Sequence, residues 1–313
     1  MSYMVAYRIR RFGGPEVFRP ESIERPRPAD HEVLVRVKTA SINPVDMKTR
    51  AGEYPLVRVD RLPYTLGRDF AGVVESAGNG VSQWKPGDEV YGFVGQGQGA
   101  LAEFVVVSAE ALARRPSHLD WIAAGAVPLA ALTAWQGLFD HGQLDARERV
   151  LIHAGAGGVG HFAVQFAKSR GAEVFATASG DGADLVRRLG ADHVIDYSAE
   201  RFEDSAQDMD LVFDLVGGET QQRSWAVVRS GGTLVSTLTE PSQVEASKRG
   251  ARANRYTARP DGKQLAAITS LIDEDKVTVK VTAAYPFDAA PEALATLEKG
   301  HVRGKIVVEV VSG

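Results

Sequence analysis

A glycine-rich turn near the middle of the chain constrains the fold more than any other feature. Gly155, Gly157 and Gly160 match the pattern G-x-G-x-x-G. The turn follows an apolar run at 149–154, which predicts a strand, and precedes 159–170, which predicts a helix. In that setting the glycines permit a tight turn, close approach to a pyrophosphate and close packing of helix on strand. The motif therefore predicts a dinucleotide site at a helix N-terminus, in preference to a packing turn without a ligand.

The segments around this turn predict two kinds of architecture. Strands at 173–178, 193–196, 211–215 and 233–237 and a helix at 184–189 alternate as in a doubly wound parallel sheet. Before them, short strands at 33–41, 71–75, 89–94 and 102–107 with glycine and proline turns indicate a small barrel or sandwich. Residues 121–140 predict a helix that Pro128 starts or kinks, and 264–272, 277–285, 291–299 and 305–311 predict helix, strand, helix and strand.

Composition removes several chemistries. The 313 residues include no cysteine, which excludes disulfides, zinc–thiolate sites, iron–sulfur clusters and a catalytic thiol. The formal net charge is -4, from 36 basic and 40 acidic residues, so no general attraction to nucleic acid or an anionic membrane is expected. The N-terminal segment lacks the apolar run of a signal peptide, and on that ground we expect a cytoplasmic protein.

One stretch of the chain, 244–263, is locally basic and irregular in pattern. We interpret it as a solvated loop in preference to a nucleic-acid patch. Its basic residues are Lys248, Arg249, Arg252, Arg255, Arg259 and Lys263.

The strand after the glycine turn bears on cofactor choice. An NAD site usually has an acidic residue at the tip of this strand, to bond the ribose 2′-hydroxyl. Here the tip is Ser179, which leaves room for a 2′-phosphate, whereas Asp181 slightly beyond could argue for NAD. The next basic residues are Arg187 and Arg188, within the following helix. We favour NADPH over NADH.

Several motifs together resemble the medium-chain dehydrogenase/reductase superfamily, and within it the zinc-independent quinone oxidoreductases, the zeta-crystallin-like branch. They span nearly the whole chain in the expected order. The matching segments are ASINPVD at 40–46, LPYTLGRDFAGVVE at 62–75, KPGDEV at 85–90, LTAW at 132–135, HAGAGGVG at 153–160, LGADHVIDY at 189–197 and GHVRGKIV at 300–307.

The resemblance implies a GroES-like β-barrel domain at 1–122, a Rossmann NADP-binding domain with a doubly wound parallel sheet at 123–262, and a return to the first domain at 263–313. It implies catalytic roles for Asn43, which could donate to the acceptor oxygen, and Tyr54, which matches a tyrosine lining the substrate cleft or else packs on the barrel. Asp46 is expected to tie down its own turn. The implied cofactor contacts are Asn43, Thr133, Gly155, Gly157, Gly158, Val159, Gly160, Ser179, Tyr197, Leu238, Arg303 and Lys305. Of these, Ser179 and Tyr197 would lie beside the 2′-phosphate, with Arg303 or Lys305 as a contributor from the closing segment, and Leu238 would lie near the nicotinamide.

Metal-dependent relatives have a cysteine within the segment corresponding to 43–46 and a histidine where this chain has Arg68. Neither ligand is present, so the resemblance implies a metal-free NADPH:quinone oxidoreductase that transfers hydride directly and forms a homodimer. Two alternatives stay open. One is an enone, alkenal or enoyl-thioester reductase, and the other is a non-catalytic NADPH-binding protein that could bind RNA.

Overall fold

The computed structural model describes residues 2–97 and 99–310, which divide into two compact units. The first unit comprises Met1–Leu129, Arg259–Glu274 and Val279–Gly313, and the second comprises Ala130–Ala258 and Asp275–Thr278. The predicted domain boundaries, at residues 122 and 262, stay predictions.

The first unit is mainly antiparallel β-structure, as the short apolar runs predict. Its first elements are β1 Tyr3–Ile9, β2 Phe18–Glu24, β3 Glu32–Ile42, α1 Pro44–Ala51, β4 Tyr64–Thr65, β5 Asp69–Ala77, β6 Glu89–Phe93, β7 Phe104–Ser108, β8 Leu112–Arg114 and α2 Trp121–Gly125. One sheet has the order β2-β1-β4. In the other, β3 pairs with both β5 and β7, and its burial follows from apolar residues that alternate along its first half.

The second unit contains a six-stranded sheet whose strand pairs are all parallel. Its elements are α3 Pro128–Trp135, which begins in the first unit, then β9 Arg149–Ile152, α4 Gly160–Arg170, β10 Glu173–Ala178, α5 Asp181–Arg188, β11 His193–Asp196, α6 Phe202–Ser205, β12 Met209–Asp214, α7 Gly218–Ser224, β13 Val228–Ser236, α8 Gln243–Arg249 and β14 Arg252–Arg255. The sheet order is β11-β10-β9-β12-β13-β14. Relative to the sheet's first strand this is 3-2-1-4-5-6, the order of the dinucleotide-binding fold. The predicted α/β class is confirmed.

The rest of the chain returns to the first unit. Its elements are α9 Gly262–Asp273, β15 Val281–Pro286, α10 Ala290–Glu298 and β16 Lys305–Glu309. The strand β16 pairs antiparallel with the end of β3, so a segment near residue 305 lies beside residue 42. The predicted final strand runs to Val311, which lies outside the described residues.

The expectation of a solvated loop at 244–263 is wrong. Most of this stretch belongs to α8, the edge strand β14 and the start of α9. The Ser242 hydroxyl accepts from the N–H of Glu245 and caps α8, and Gly250 ends the helix with a φ of 61°. In the sequence, the high charge of the segment obscures the start signal at Ser242 and the stop signal at Gly250.

No helix within the described ranges combines the length and the apolar character needed to cross a membrane.

Candidate active site

Four predicted cofactor-binding positions follow strands of the six-stranded sheet. The glycine turn follows β9, Ser179 follows β10, Tyr197 follows β11, and Leu238 lies two residues beyond β13. Because parallel strands end at one edge of a sheet, these segments share its carboxyl edge. They lie there in the order Tyr197, Ser179, glycine turn, Leu238, since the strands are ordered β11-β10-β9-β12-β13. An extended ligand along that edge would meet them in turn.

The strand register places Ser179 beside Tyr197. Ala178 is paired with Asp196, so the residues that follow leave neighbouring strands side by side. Ser179 is half-buried and Tyr197 is 56% exposed. A hydroxyl and a phenol therefore border the place where the adenosine ribose is expected, with no carboxylate at the strand tip.

The glycine turn is built as its sequence requires. The N–H of Gly155 donates to Thr177 O at 2.9 Å, and the N–H of Gly157 donates to Ala154 O at 3.0 Å. A Cβ at Gly160 would lie 2.1 Å from Ala154 O, so only glycine lets α4 start here. At Gly157 an added Cβ would lie 3.3 Å from its nearest neighbour, so the backbone is open to an approaching group.

These residues fit a dinucleotide. Val159, the N-cap of α4, has no side-chain oxygen to accept from the first helical N–H groups. Phosphate oxygens supply such acceptors, and the positive end of the helix favours their charge.

A buried hydrogen-bond chain supports the turn from below. Thr177 Oγ1 accepts from the N–H of Ala154 at 3.1 Å and contacts His153 Nδ1 at 3.3 Å. On the other side of the ring, His153 Nε2 lies 2.9 Å from Ser224 Oγ, which donates to Thr220 O at 2.7 Å. Because Ser224 gives its single proton to Thr220, the imidazole carries its own proton on Nε2 and accepts at Nδ1 from the hydroxyl of Thr177. Burial lowers the pKa of His153 to about 4, so the ring is neutral.

Asp214 fixes the loop beside Leu238. This fully buried carboxylate accepts from the N–H groups of Val216 and Gly217 at 3.0 and 2.8 Å. It also accepts from Ser236 Oγ at 2.9 Å, which ties the ends of β12 and β13 together. Sequence reasoning missed this residue, although an aspartate that ends an apolar strand was a visible signal.

In the first unit, Asn43 lies at the centre of a buried polar cluster. Its Nδ2 donates to Asp69 Oδ1 at 2.8 Å and contacts Ser41 O and Oγ at 3.3 Å. Its Oδ1 accepts from Nζ of Lys305. Both amide protons thus have partners within the protein, and the residue is 4% exposed. In this structure both amide N–H groups donate within the protein, and donation from Asn43 to an acceptor oxygen stays a prediction.

Lys305, whose contact with a 2′-phosphate stays a prediction, is bonded within the first unit. It is 3% exposed, and Nζ contacts Ile42 O at 3.3 Å as well as Asn43. Burial lowers its pKa, and the charges of Asp69 and Asp46 oppose that effect. Arg303 is half-buried in the same segment, and its carbonyl accepts from the hydroxyl of Thr282.

Asp46 holds its own turn, as expected. Its carboxylate accepts from the N–H of Asn43 at 2.9 Å in a capping box at the start of α1, and from the N–H of Gly67 at 2.8 Å. Burial raises its pKa to about 6, and the positive charge of Arg68 opposes the rise.

Tyr54 is half-buried, and its hydroxyl accepts from Gln96 Nε2 at 3.1 Å. The guanidinium carbon of Arg68 lies 5.1 Å from the centre of its ring. Thr133 is 8% exposed within α3, and its carbonyl accepts from the hydroxyl of Tyr256.

Four of the six basic residues of 248–263 have structural partners. Lys248 pairs with Glu245 at 2.7 Å, and Arg259 pairs with Asp261 at 2.9 Å. Arg252 donates to Thr233 and Gln143, and Arg255 donates to Leu238 O. These contacts weaken the case for an RNA-binding surface. In the described ranges, no three histidine or acidic side chains lie together so as to hold a metal ion.

Comparison with known proteins finds two matching family descriptions and several full-length relatives. The description "Alcohol dehydrogenase GroES-like domain" matches 29–117, and "Zinc-binding dehydrogenase" matches 189–308. Human mitochondrial NAD(P)H oxidoreductase RTN4IP1 is 35% identical over 98% of this chain and 89% of its own length. Chloroplastic NADPH-dependent alkenal/one oxidoreductase of Arabidopsis thaliana is 35% identical over 97% of this chain and 79% of its own. The solved quinone oxidoreductase of Coxiella burnetii superposes with a TM-score of 0.92 at 33% identity, covering 99% of this chain and all of that one (100%).

The expected cytoplasmic location is wrong by this comparison. The human, bovine and mouse relatives are mitochondrial and the Arabidopsis one is chloroplastic. The expectation rests on the lack of an apolar N-terminal run, which carries no information about organelles.

Proposed function

The chain belongs to the quinone oxidoreductase-like family of medium-chain dehydrogenases/reductases, and from that premise we propose that it transfers hydride from NADPH to a quinone or an activated alkene without a catalytic metal. The observation that carries the proposal is the row of Tyr197, Ser179, the glycine turn and Leu238 along one sheet edge. That row has the order and chemistry of a dinucleotide site, with hydroxyl groups where NAD sites have a carboxylate.

Metal independence is supported by the side chains at the ligand positions. Metal-dependent relatives have a histidine where this chain has Arg68, and a cysteine within the segment that begins here with Asn43. The guanidinium of Arg68 has no lone pair to offer a metal ion, and Oδ1 of Asn43 already accepts from the ammonium of Lys305. An acceptor with conjugation needs no metal, because the charge that it gains with hydride is delocalised onto oxygen.

The bound cofactor supplies the hydride and is oxidised to NADP⁺. The chain's own residues bind and orient the cofactor and the acceptor. Gly157 and the start of α4 would hold the pyrophosphate, the hydroxyls of Ser179 and Tyr197 would donate to the adenosine 2′-phosphate, and the Asp214-anchored loop would position Leu238 near the nicotinamide. Tyr54 borders the acceptor, and water provides the final proton.

An enone or alkenal reductase is the second candidate, and the Arabidopsis relative named for alkenals and enones favours it. One experiment addresses both candidates: NADPH consumption is followed spectrophotometrically with a quinone, an enone, an alkenal and an enoyl thioester, before and after chelator treatment. We expect turnover that the chelator does not change. Tight NADPH binding without turnover of any acceptor would contradict the proposal and favour the binding-protein alternative. Size-exclusion chromatography tests the implied homodimer.

A further inference from the structure

Arg68 has a buried guanidinium that is only partly hydrogen-bonded. The residue precedes β5 and is 2% exposed. Its Nη1 donates to Gly95 O at 2.5 Å. Its Nη2 is buried without a hydrogen-bond partner, one of three such side-chain atoms in the described part of the chain. The charge of this group is thus held in place with one strong donor unused.

An unused charged donor is costly. Leaving a buried donor unpaired costs about 1–3 kcal/mol and more when the group is charged. The other two such atoms are Arg8 Nε and Thr49 Oγ1. Arg8 uses its Nη2 on Pro63 O at 2.7 Å, and Thr49 is neutral. Among these three, Arg68 alone combines full burial, a net charge and a free terminal N–H₂ group, and buried polar atoms of this kind often serve function.

The surroundings of Arg68 are aromatic. Its guanidinium carbon lies 5.1 Å from the ring centre of Tyr54 and 5.6 Å from that of Tyr64. Tyr64 is fully buried, whereas Tyr54 is half-buried. Of the two rings, Tyr54 is the one that is partly exposed. A flat, conjugated molecule is the kind of ligand that packs against a phenol ring and a planar cation.

The negative charge of Asp46 does not satisfy Arg68. Nη2 has no hydrogen-bond partner, and the Asp46 carboxylate already accepts from the backbone N–H groups of Asn43 and Gly67. The electrostatic effect of Arg68 nevertheless extends to its neighbours, because it opposes the rise that burial causes in the pKa of both Asp46 and Tyr64. A positive potential is thus present at a position where no acceptor from the described chain meets Nη2.

We propose that Nη2 of Arg68 donates a hydrogen bond to the carbonyl oxygen of the conjugated acceptor and stabilises the negative charge that this oxygen gains. The inference rests on the proposed function. In an enone, hydride forms a bond to the β-carbon, the alkene pair moves to join the α-carbon and carbonyl carbon, and the carbonyl π pair moves onto oxygen. NADPH is oxidised, the acceptor is reduced to an enolate, and water then protonates the α-carbon. In a quinone, hydride forms a bond to one carbonyl oxygen, the π pairs shift so that the ring becomes aromatic, and the other carbonyl pair moves onto its oxygen. The product is a hydroquinone anion, which water protonates on that oxygen.

The first test compares Arg68→Met with Arg68→Lys, and uses Arg61→Met as a matched control. Arg61 is exposed and donates to Gln96 O at 2.8 Å, so it contacts the same loop as Arg68 without lying buried among the rings. For a simple enone, we expect Arg68→Met to lower kcat/KM about 100-fold, the usual effect of removing one oxyanion donor. For a quinone, whose anion is stabilised by its own ring, we expect a loss of at most about 10-fold.

The remaining readouts separate chemistry from folding. The dissociation constant of NADPH is expected to stay within about 3-fold, Arg68→Lys to recover part of the enone activity because it keeps the charge, and Arg61→Met to behave as wild type. Equal losses for enone and quinone would overturn the inference, and so would a loss in Arg61→Met that matches Arg68→Met. If Arg68→Met does not fold, Arg68→Lys carries the same comparison between acceptors.

A binding measurement distinguishes this inference from the proposed function. A p-nitrophenolate anion, detected by its absorbance change, mimics the charged oxygen without turnover. We expect wild type and Arg61→Met to bind it, and Arg68→Met to bind at least about 10-fold more weakly. If wild type reduces neither acceptor, the proposed function fails, and the phenolate result alone decides the role of Arg68. Equal binding by wild type and Arg68→Met would overturn that role.

Discussion

The ammonium of Lys305 donates to Oδ1 of Asn43, while the other end of the same amide donates to Asp69 at 2.8 Å. A cation and a carboxylate thus fix the orientation of one side-chain amide. Rotating the amide would bring oxygen to carboxylate and N–H₂ to ammonium, so the opposite orientation is strongly disfavoured. The link also joins β16 to the end of β3, across 262 positions of sequence.

Breaking this link is expected to destabilise the first unit. Lys305→Met leaves Oδ1 of Asn43 without a partner, and we expect the free energy of unfolding to fall by about 1–3 kcal/mol. Asn43→Leu is expected to have a similar effect. The double variant should be less damaged than the sum of the two, with a coupling energy of at least about 1 kcal/mol. Urea unfolding of the four proteins measures it, and strict additivity would contradict the link.

Asp46 makes the protein sensitive to rising pH. Its folded pKa of about 6 lies above the ordinary value of 3.8, so the folded state binds the proton more tightly. Stability from this group is complete below pH 3.8 and is lost as the pH rises through 6, by about 3 kcal/mol. Relative to Asp46→Asn, which cannot ionise, wild type should lose about that amount between pH 4 and pH 7. The free energy of unfolding of both proteins is measured with urea at each pH, and an equal change with pH in the two would disprove this prediction.

His153 has the opposite dependence. Its pKa is lowered from 6.5 to about 4 by burial, so its stabilising effect is present above pH 6.5 and is lost as the pH falls toward 4. The loss amounts to about 3 kcal/mol. His153→Gln is expected to be less stable than wild type at pH 7 and to lose less stability on acidification. Amide hydrogen exchange at β9 and α7, measured at pH 7 and near pH 4, shows whether the loss of stability is located around His153.

Two glycines of the turn are expected to separate folding from cofactor binding. Gly160→Ala places Cβ 2.1 Å from Ala154 O, so turn or helix must shift, and we expect both stability and NADPH binding to fall. Gly157→Ala places Cβ 3.3 Å from the same oxygen. We expect it to fold with a loss below about 1 kcal/mol while weakening NADPH at least about 10-fold, because the methyl group occupies the approach of the pyrophosphate. Thermal unfolding and NADPH titration measure the two properties. Similar NADPH affinity in Gly157→Ala and wild type would argue against a phosphate at this turn.

Cofactor preference is expected to depend on Ser179. Ser179→Asp puts a carboxylate at the tip of β10, where it repels a 2′-phosphate and accepts from a 2′-hydroxyl. We expect the KM for NADPH to rise at least about 10-fold and that for NADH to fall or stay constant. Steady-state kinetics with both cofactors test this, and a KM that rises equally for the two would show that the variant had merely disturbed the strand.

The sequence predicts the dinucleotide unit well because its signals are local. The strands at 173–178 and 193–196 have the predicted bounds, and the glycine turn lies between β9 and α4. The apolar pattern at 121–140 predicts one helix, but α2 ends at Gly125 and Pro128 begins α3. Pro128 acts as a start signal, which its fixed φ and missing N–H allow.

The polar cluster of the first unit could not be predicted, because it depends on contacts between distant residues. Nothing near Lys305 in sequence indicates that its ammonium meets Asn43, and an exposed phosphate-binding role is the natural inference for a lysine. The same holds for Arg68, which the sequence distinguishes only as a replaced histidine. Its burial depends on Tyr64 and on the loop that begins at Gly95, both set by the tertiary fold.

The pairing of β16 with β3 has a consequence during synthesis. The end of β3 emerges from the ribosome early, whereas β16 follows some 260 residues later. At about 5–20 residues per second, the edge of β3 around 39–42 waits on the order of tens of seconds for its partner. An unpaired strand edge invites pairing with other chains. We therefore expect chaperones to bind the nascent first unit until the second unit has been synthesised and β16 has paired with β3.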